Sequence, residues 1–247
     1  GEYNKLPSRQ LLGKGTITYA DNADFYEGEE NTLVGVNGHK GYTRDEFEYF
    51  SNETVGQMRF SGITEAVDSC CEIHLAPDSY LIADMGKNHV GLFEFELEVL
   101  HDTEFFVVFD EILIDGDVDW SRMVASNIVT CIASAGRYKV VSVEPYGLRY
   151  VKFICKGGEV KVHNFHLIEV AFPQSLITAH FVSDDKVMEK IYDAAVLTFR
   201  NNTTDIFMDC PSRERAGWLC DSFFTSRAEH ILTGASKVEK QFLSNYL

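Results

Sequence analysis

Val90-Gly91-Leu92-Phe93-Glu94-Phe95-Glu96-Leu97-Glu98-Val99-Leu100 sets Phe93, Phe95, Leu97 and Val99 alternately with Glu94, Glu96 and Glu98. Successive side chains of a strand point to opposite faces, so this alternation predicts a half-buried strand with one charged face. The next apolar run, 105–109, has no polar interruption and predicts a strand buried on both faces. Further strands are expected over 128–134, 138–143, 149–155 and 160–170. Lys156-Gly157-Gly158-Glu159 separates the last two, which predicts a two-residue hairpin with positive φ at both glycines. Short strands with turn signals at this spacing predict a mainly β fold, an antiparallel β-sandwich or jelly roll.

On either side of this block the texture differs. Residues 1–70 look irregular, with a short strand ending in an Asn-Gly turn expected at 31–38. Beyond Phe172-Pro173, Ser183 followed by Asp184 and Asp185 reads as a helix N-cap. Val187, Ile191, Ala194, Ala195 and Thr198 then recur at helical spacing. Phe224, Ala228, Ile231 and Leu232 share a face of a second helix, which Gly234 should terminate. Ser236 and Glu239 have the spacing of a capping box for a third, with Val238, Phe242 and Leu243 as its stripe. The expected organisation is a β-sandwich domain at 1–176 followed by two or three helices at 177–247. A helix pair cannot bury two apolar stripes alone. Residues 177–247 are therefore expected to open a larger helical domain, and the 247-residue chain alone is expected to be inactive.

Composition removes several function classes. An apolar share of 45% and an aromatic share of 13% suffice for a core, which excludes a disordered chain. Net charge is −16, from 38 acids against 22 bases, so nucleic acid is a poor partner. No run of about 18 apolar residues predicts a membrane span. Six cysteines in a chain of this length are not a disulfide scaffold. Cys131 and Cys155 lie in apolar runs and read as buried thiols. Cys210, Cys220 and His230 match no zinc spacing, so no metal or other cofactor is expected. His89, His163, His166, His180 and His230 read as structural. The first residues, Gly1-Glu2-Tyr3-Asn4, do not form a signal peptide. Localisation is not readable from the sequence, which is compatible with a periplasmic or secreted protein.

One stretch fits neither core nor solvated face: Asp209-Cys210-Pro211-Ser212-Arg213-Glu214-Arg215-Ala216-Gly217-Trp218-Leu219-Cys220-Asp221. Three acids, two arginines, a tryptophan, a proline and a glycine predict a shaped loop leading into a helix. Carboxylates and an aromatic on a scaffolded loop are a common way to build a sugar site. A surface ion-pair loop over a packed tryptophan is the alternative.

Asp209-Cys210-Pro211-x-x-Glu214-x-x-x-Trp218-x-x-Asp221 resembles the signature of bacterial α-L-rhamnosidases of glycoside hydrolase family 78. Asp84-Met85-Gly86-Lys87-Asn88-His89-Val90-Gly91 and Tyr146-Gly147-Leu148-Arg149-Tyr150 resemble elements of that family's sandwich. The resemblance covers roughly residues 80–247 and implies a sandwich followed by the beginning of an incomplete (α/α)6 barrel. Many members have one more residue between the proline and the acid, or a glycine where Cys220 stands, which bears on the sugar more than on the class.

The resemblance implies roles. Glu214 would be the general acid, Asp209 and Asp221 would hydrogen-bond sugar hydroxyls, and Trp218 would wall the subsite. Arg213 is a candidate substrate contact, whereas Arg215 reads as structural. A general acid needs a raised pKa, so both guanidiniums should point away from Glu214 or pair with other acids. An exposed helix-entry acid is the alternative for Glu214, and core packing for Trp218. The implied reaction is inverting release of terminal rhamnose from an oligosaccharide or glycoside. Its general base is implied to lie later in the barrel, outside residues 1–247. A non-catalytic carbohydrate-binding or structural sandwich is the competing class, as is a glycosidase of different sugar preference.

Overall fold

The computed structural model describes residues 4–20, 51–65, 72–122 and 126–247. The strand expected at 31–38 and the pair Cys70 and Cys71 lie outside them. Among the described residues there are ten strands and four α-helices.

The alternating stretch forms the second half of β5 (Ser79–His101), a strand of 23 residues that belongs to two layers. Its register breaks between Asp84 and His89, where Gly86 takes φ 87°. Before the break, β5 pairs with β2 (Gln10–Tyr19) and β9 (Tyr146–Lys156). After it, β5 keeps β9 over His89–Gly91 and pairs with β10 (Glu159–Glu169) and, further on, with β8 (Gly136–Val141). The first layer extends through β2 to β3 (Met58–Phe60), and through β9 to β6 (Thr103–Asp110) and β7 (Ile128–Ala133). In the second, β10 carries β4 (Glu72–Leu75) and β1 (Lys5–Pro7) along its other edge. Every pairing is antiparallel.

Phe93, Phe95, Leu97 and Val99 are at most 3% exposed and face the other layer. Phe95 lies 6.0 Å from Phe105 and 6.2 Å from Phe153, and Phe93 lies 5.2 Å from Phe109, between ring centroids. Each such side chain taken from water contributes about 1.5–3 kcal/mol. Glu94, Glu96 and Glu98 occupy the outer face, where Lys5 and Lys139 pair with Glu94, and Arg137 and His163 with Glu98. The unbroken run in β6 also has its reason. Phe105, Val107 and Phe109 fill the inter-layer core. Phe106 and Val108 fill a second core with Tyr80, Ile82 and Ile154, closed by Val55 of α1 (Ser51–Gly56), Met58 and Val118. The first layer is thus covered on both faces.

Several expectations are corrected. β9 and β10 do not pair with each other, so residues 156–159 make an arch between layers rather than a hairpin. Only Gly157 has positive φ, 83°. Gly158 is required by crowding, since a Cβ there would sit 2.3 Å from the His101 carbonyl oxygen. Among the described residues before position 70, β2 runs ten residues along the first layer with Leu11 and Ile17 buried, a regularity not expected there. Cys155 is buried but Cys131 only half-buried.

After a 3-10 turn at Gln174–Leu176 come α2 (Lys186–Asn201), α3 (Leu219–Thr233) and α4 (Lys237–Ser244). Asp185, not Ser183, caps α2, accepting from the Val187 N–H at 2.8 Å. Ser183 Oγ instead accepts from the Asp185 N–H. The capping box of α4 is not formed. Glu229, 1% exposed, reaches across from α3 and accepts from the N–H groups of Val238 and Glu239 at 2.8 and 3.1 Å. Gly234 ends α3 in the left-handed conformation, as expected.

The expected helical stripes are largely open. Val187 and Ile191 of α2 are 62% and 56% exposed, and Phe224 and Ile231 of α3 are 69% and 71% exposed. The helical core is instead Phe172, Phe199, Phe207, Leu232 and Phe242, with Tyr192 and Val196 against it. The inward face of α3 is Ser222, Ser226, Glu229 and Leu232. Three of the four are polar, so the apolar stripe recovers only Leu232 among them.

Candidate active site

The loop 209–218 is closed at its base by Asp209. The Asp209 N–H donates to the Ala216 carbonyl at 2.9 Å, and the Ala216 N–H donates to Asp209 Oδ1 at 2.8 Å. Oδ2 accepts from the Cys210 thiol at 3.3 Å. Burial pushes the Asp209 pKa up, but the Ala216 N–H and the Cys210 contacts outweigh it and hold the carboxyl below its usual range. On the far side, Tyr246 Oη donates to the Gly217 carbonyl at 2.6 Å.

Within the loop, Ser212 and Arg215 turn toward the sandwich while Arg213 and Glu214 turn out. Ser212 Oγ donates to Glu111 Oε1 at 2.5 Å. Arg215, at φ 52°, donates through Nη1 to the Pro145 carbonyl at 2.7 Å and through Nη2 to Glu144. Arg213 Nη2 donates to Glu214 Oε1 at 2.5 Å, and Trp218 Nε1 donates to Oε2 at 2.9 Å. Of the two guanidiniums expected to avoid Glu214, that of Arg215 does and that of Arg213 does not: it lies on Glu214 through one nitrogen, because the two side chains leave adjacent outward positions. Trp218 is 55% exposed. Asp221 lies in the exposed first turn of α3, where the helix dipole favours a carboxylate.

The structure brings the motif loop to the two sandwich stretches singled out in the sequence. Gly147 packs directly beneath it, where a Cβ would meet Ser212 Oγ at 2.8 Å and the Pro211 carbonyl carbon at 3.3 Å. Next to it Arg149 grips Asp84 through two hydrogen bonds of 2.9 and 3.0 Å. Burial raises the Asp84 pKa, but Arg149 and the Gly86 N–H prevail and hold it low. A groove of about 510 Å³ runs between this part of the sandwich and α2, lined by Lys87, Asn88, His89, Arg149, Asn201 and Pro211 among others. Burial, then the Lys87 charge, lower the His89 pKa despite Glu169.

The contributions of Glu111 and Glu144 are not legible in the sequence. They stand 101 and 71 residues from their loop partners, in no recognisable pattern. Cys210, Cys220 and His230 form no metal-binding group, and none is found among the described residues. His230 lies in α3. No helix of the described residues is long and apolar enough to cross a membrane.

Comparison with known proteins bears on this arrangement. Residues 177–247 match the model of the bacterial alpha-L-rhamnosidase 6 hairpin glycosidase domain. A family 78 rhamnosidase of Bacillus sp. GL1 superposes with a TM-score of 0.64 at 21% identity, over 77% of this chain and 21% of that one. A rhamnosidase from Klebsiella oxytoca with rhamnose bound gives 0.60 at 15% identity, over 97% and 43%. An α-L-rhamnosidase of Streptomyces avermitilis complexed with L-rhamnose gives 0.51 at 19% identity, over 67% and 16%. No curated protein sequence matches. The chain thus spans about a fifth of the first of these proteins and under half of the second. At these identities the likenesses establish the fold: a mainly β sandwich leading into helices. The chain is similar to the bacterial α-L-rhamnosidases in two respects, the sequence of residues 177–247 and the fold over most of its length.

Proposed function

We propose that this chain contributes the acid half of a glycoside hydrolase site that releases terminal rhamnose from glycans with inversion. One observation carries the reading. Glu214 stands outward between Ser212 and Arg215, which are tied to the sandwich, and its carboxylate is joined by a hydrogen bond to the half-exposed indole of Trp218. A carboxyl beside an exposed aromatic face is suited to a sugar ring, with the acid at the glycosidic oxygen.

In this reading Glu214 protonates the leaving oxygen. Trp218 forms the apolar wall. Arg213 exchanges Glu214 for a sugar hydroxyl when substrate enters, and that exchange frees the acid. Asp209 keeps Oδ1 on the loop and offers Oδ2, since a thiol is a weak donor that a hydroxyl displaces. Asp221 supplies a second acceptor. Inversion needs another carboxylate about 6.5–9.5 Å away to activate water. The family resemblance assigns it to a later part of a barrel, outside residues 1–247, and no residue here is given that role.

The test is the intact protein assayed on aryl α-L-rhamnosides against other aryl glycosides. Glu214→Gln is expected to abolish turnover of an ordinary rhamnoside. It should retain far more activity where the leaving group needs little protonation. Equal loss on both substrates overturns the assignment, and a preference for another sugar overturns the rhamnoside reading.

A further inference from the structure

The reading of Glu214 leaves open what holds its loop in shape. Four consecutive side chains, Ser212 to Arg215, divide two and two. The outer pair is bound to the sandwich and the inner pair is presented. The two outer attachments are unequal. Glu144 is 52% exposed, and an exposed ion pair contributes little. Glu111 is 25% exposed and takes the Ser212 hydroxyl in a charge-assisted bond of 2.5 Å. It is also fixed from behind. Its N–H donates to Asp110 Oδ1 at 2.7 Å, and the buried Asp110 is gripped by Arg122 with two bonds of 2.6 Å. Arg122 further lies 3.8 Å from Glu111 Oε2.

We propose that Glu111 is a positioning residue: through Ser212 it fixes the loop so that Glu214 and Trp218 are presented together. Glu111 touches neither substrate nor Glu214 and acts wholly through the serine. The sandwich is then a working part of the site, and Asp110, Arg122 and Glu111 form the post that reaches from its core to the loop. The proposal rests on the glycosidase reading for its meaning but not for its geometry.

Two measurements separate them. In this chain, hydrogen exchange of residues 209–217 is read against β6 amides of the same sample, so that general loss of stability cancels. Glu111→Ala and Ser212→Ala should each speed loop exchange roughly fivefold, the size of one hydrogen bond. The double variant should be no faster than either single one, because both remove the same contact. Glu111→Gln, whose amide oxygen still accepts from the serine, should stay near the parent. Unchanged exchange, or single effects that multiply in the double variant, overturns the proposal. In the intact protein, Glu111→Ala should lower kcat on an aryl rhamnoside with KM little changed, and Glu111→Gln should restore it. Loss confined to KM also overturns it. An unsubstituted protein inert toward every aryl glycoside sinks the glycosidase reading while the exchange result still decides the role of Glu111.

Discussion

Gly147 and Ser212 come together so closely that a single added carbon at position 147 would lie 2.8 Å from the serine oxygen. The first belongs to a strand of the sandwich and the second to the acid-bearing loop. Their contact explains why a glycine stands at the start of Gly147-Leu148-Arg149-Tyr150. Gly147→Ala should push the loop off its seat at a cost of about 1–3 kcal/mol, the usual range for overpacking. A lowered melting temperature with faster exchange at 209–217 is the expected result. An unshifted melting curve would contradict it.

Asp84 and Arg149 make the same region pH-sensitive on the acid side. The Asp84 pKa is held below its ordinary value in the folded chain. Its contribution is therefore complete above the unfolded carboxyl pKa and is lost as pH falls through the folded one. Asp84→Asn should lower stability at neutral pH and flatten the acid limb of the stability curve. Parallel acid limbs for parent and variant would refute this.

Lys152 acts with the same sign, on the alkaline side. It is 1% exposed, lies 2.9 Å from the centroid of Phe60 and 4.4 Å from that of Tyr80, and is paired with Asp117 at 2.7 Å. Burial lowers its pKa to about 8, against the pull of Asp117. The unfolded chain therefore binds the proton more tightly, and the Lys152 contribution rises as pH climbs from about 8 to its unfolded value of about 10.4. That window corresponds to roughly 3 kcal/mol. Subtracting the stability curve of Lys152→Met from that of the parent should reveal this rise. A flat difference would rule it out.

Glu229 replaces the expected capping box of α4. Removing its carboxylate leaves two N–H groups at the helix start without their acceptor. Glu229→Ala should cost about 1–2 kcal/mol and speed exchange at Val238 and Glu239. Ser236→Ala should change little, since its side chain makes no capping hydrogen bond. The reverse ranking would restore the capping box.

What could be read in advance, and what could not, follows from the range of each interaction. The alternation of Phe93 to Val99 with the glutamates states a local rule, since pleating alone sends neighbours to opposite faces. The unbroken run 105–109 likewise announced a strand covered twice. The thirteen-residue motif was conspicuous because its mixture of charge, tryptophan and turn residues suits neither core nor surface.

Which layer each strand joins was not local. β5 changes partners at its bulge, so Gly157 and Gly158 became an arch between layers although their dipeptide reads as a hairpin. The helical faces were decided by neighbours as well: α3 turns Ser222, Ser226 and Glu229 inward because Glu229 has the N-terminus of α4 to cap. The site shows the same division. Glu214, Trp218 and Asp209 are singled out in the sequence by the motif's resemblance to a family signature. Their orientation depends on Glu111, Glu144 and Gly147, which reach the loop from other elements of the sandwich. Spacing along the chain records which groups can share a loop or a helical face. Only packing at contact distance determines which of them are held and which are left to meet a ligand.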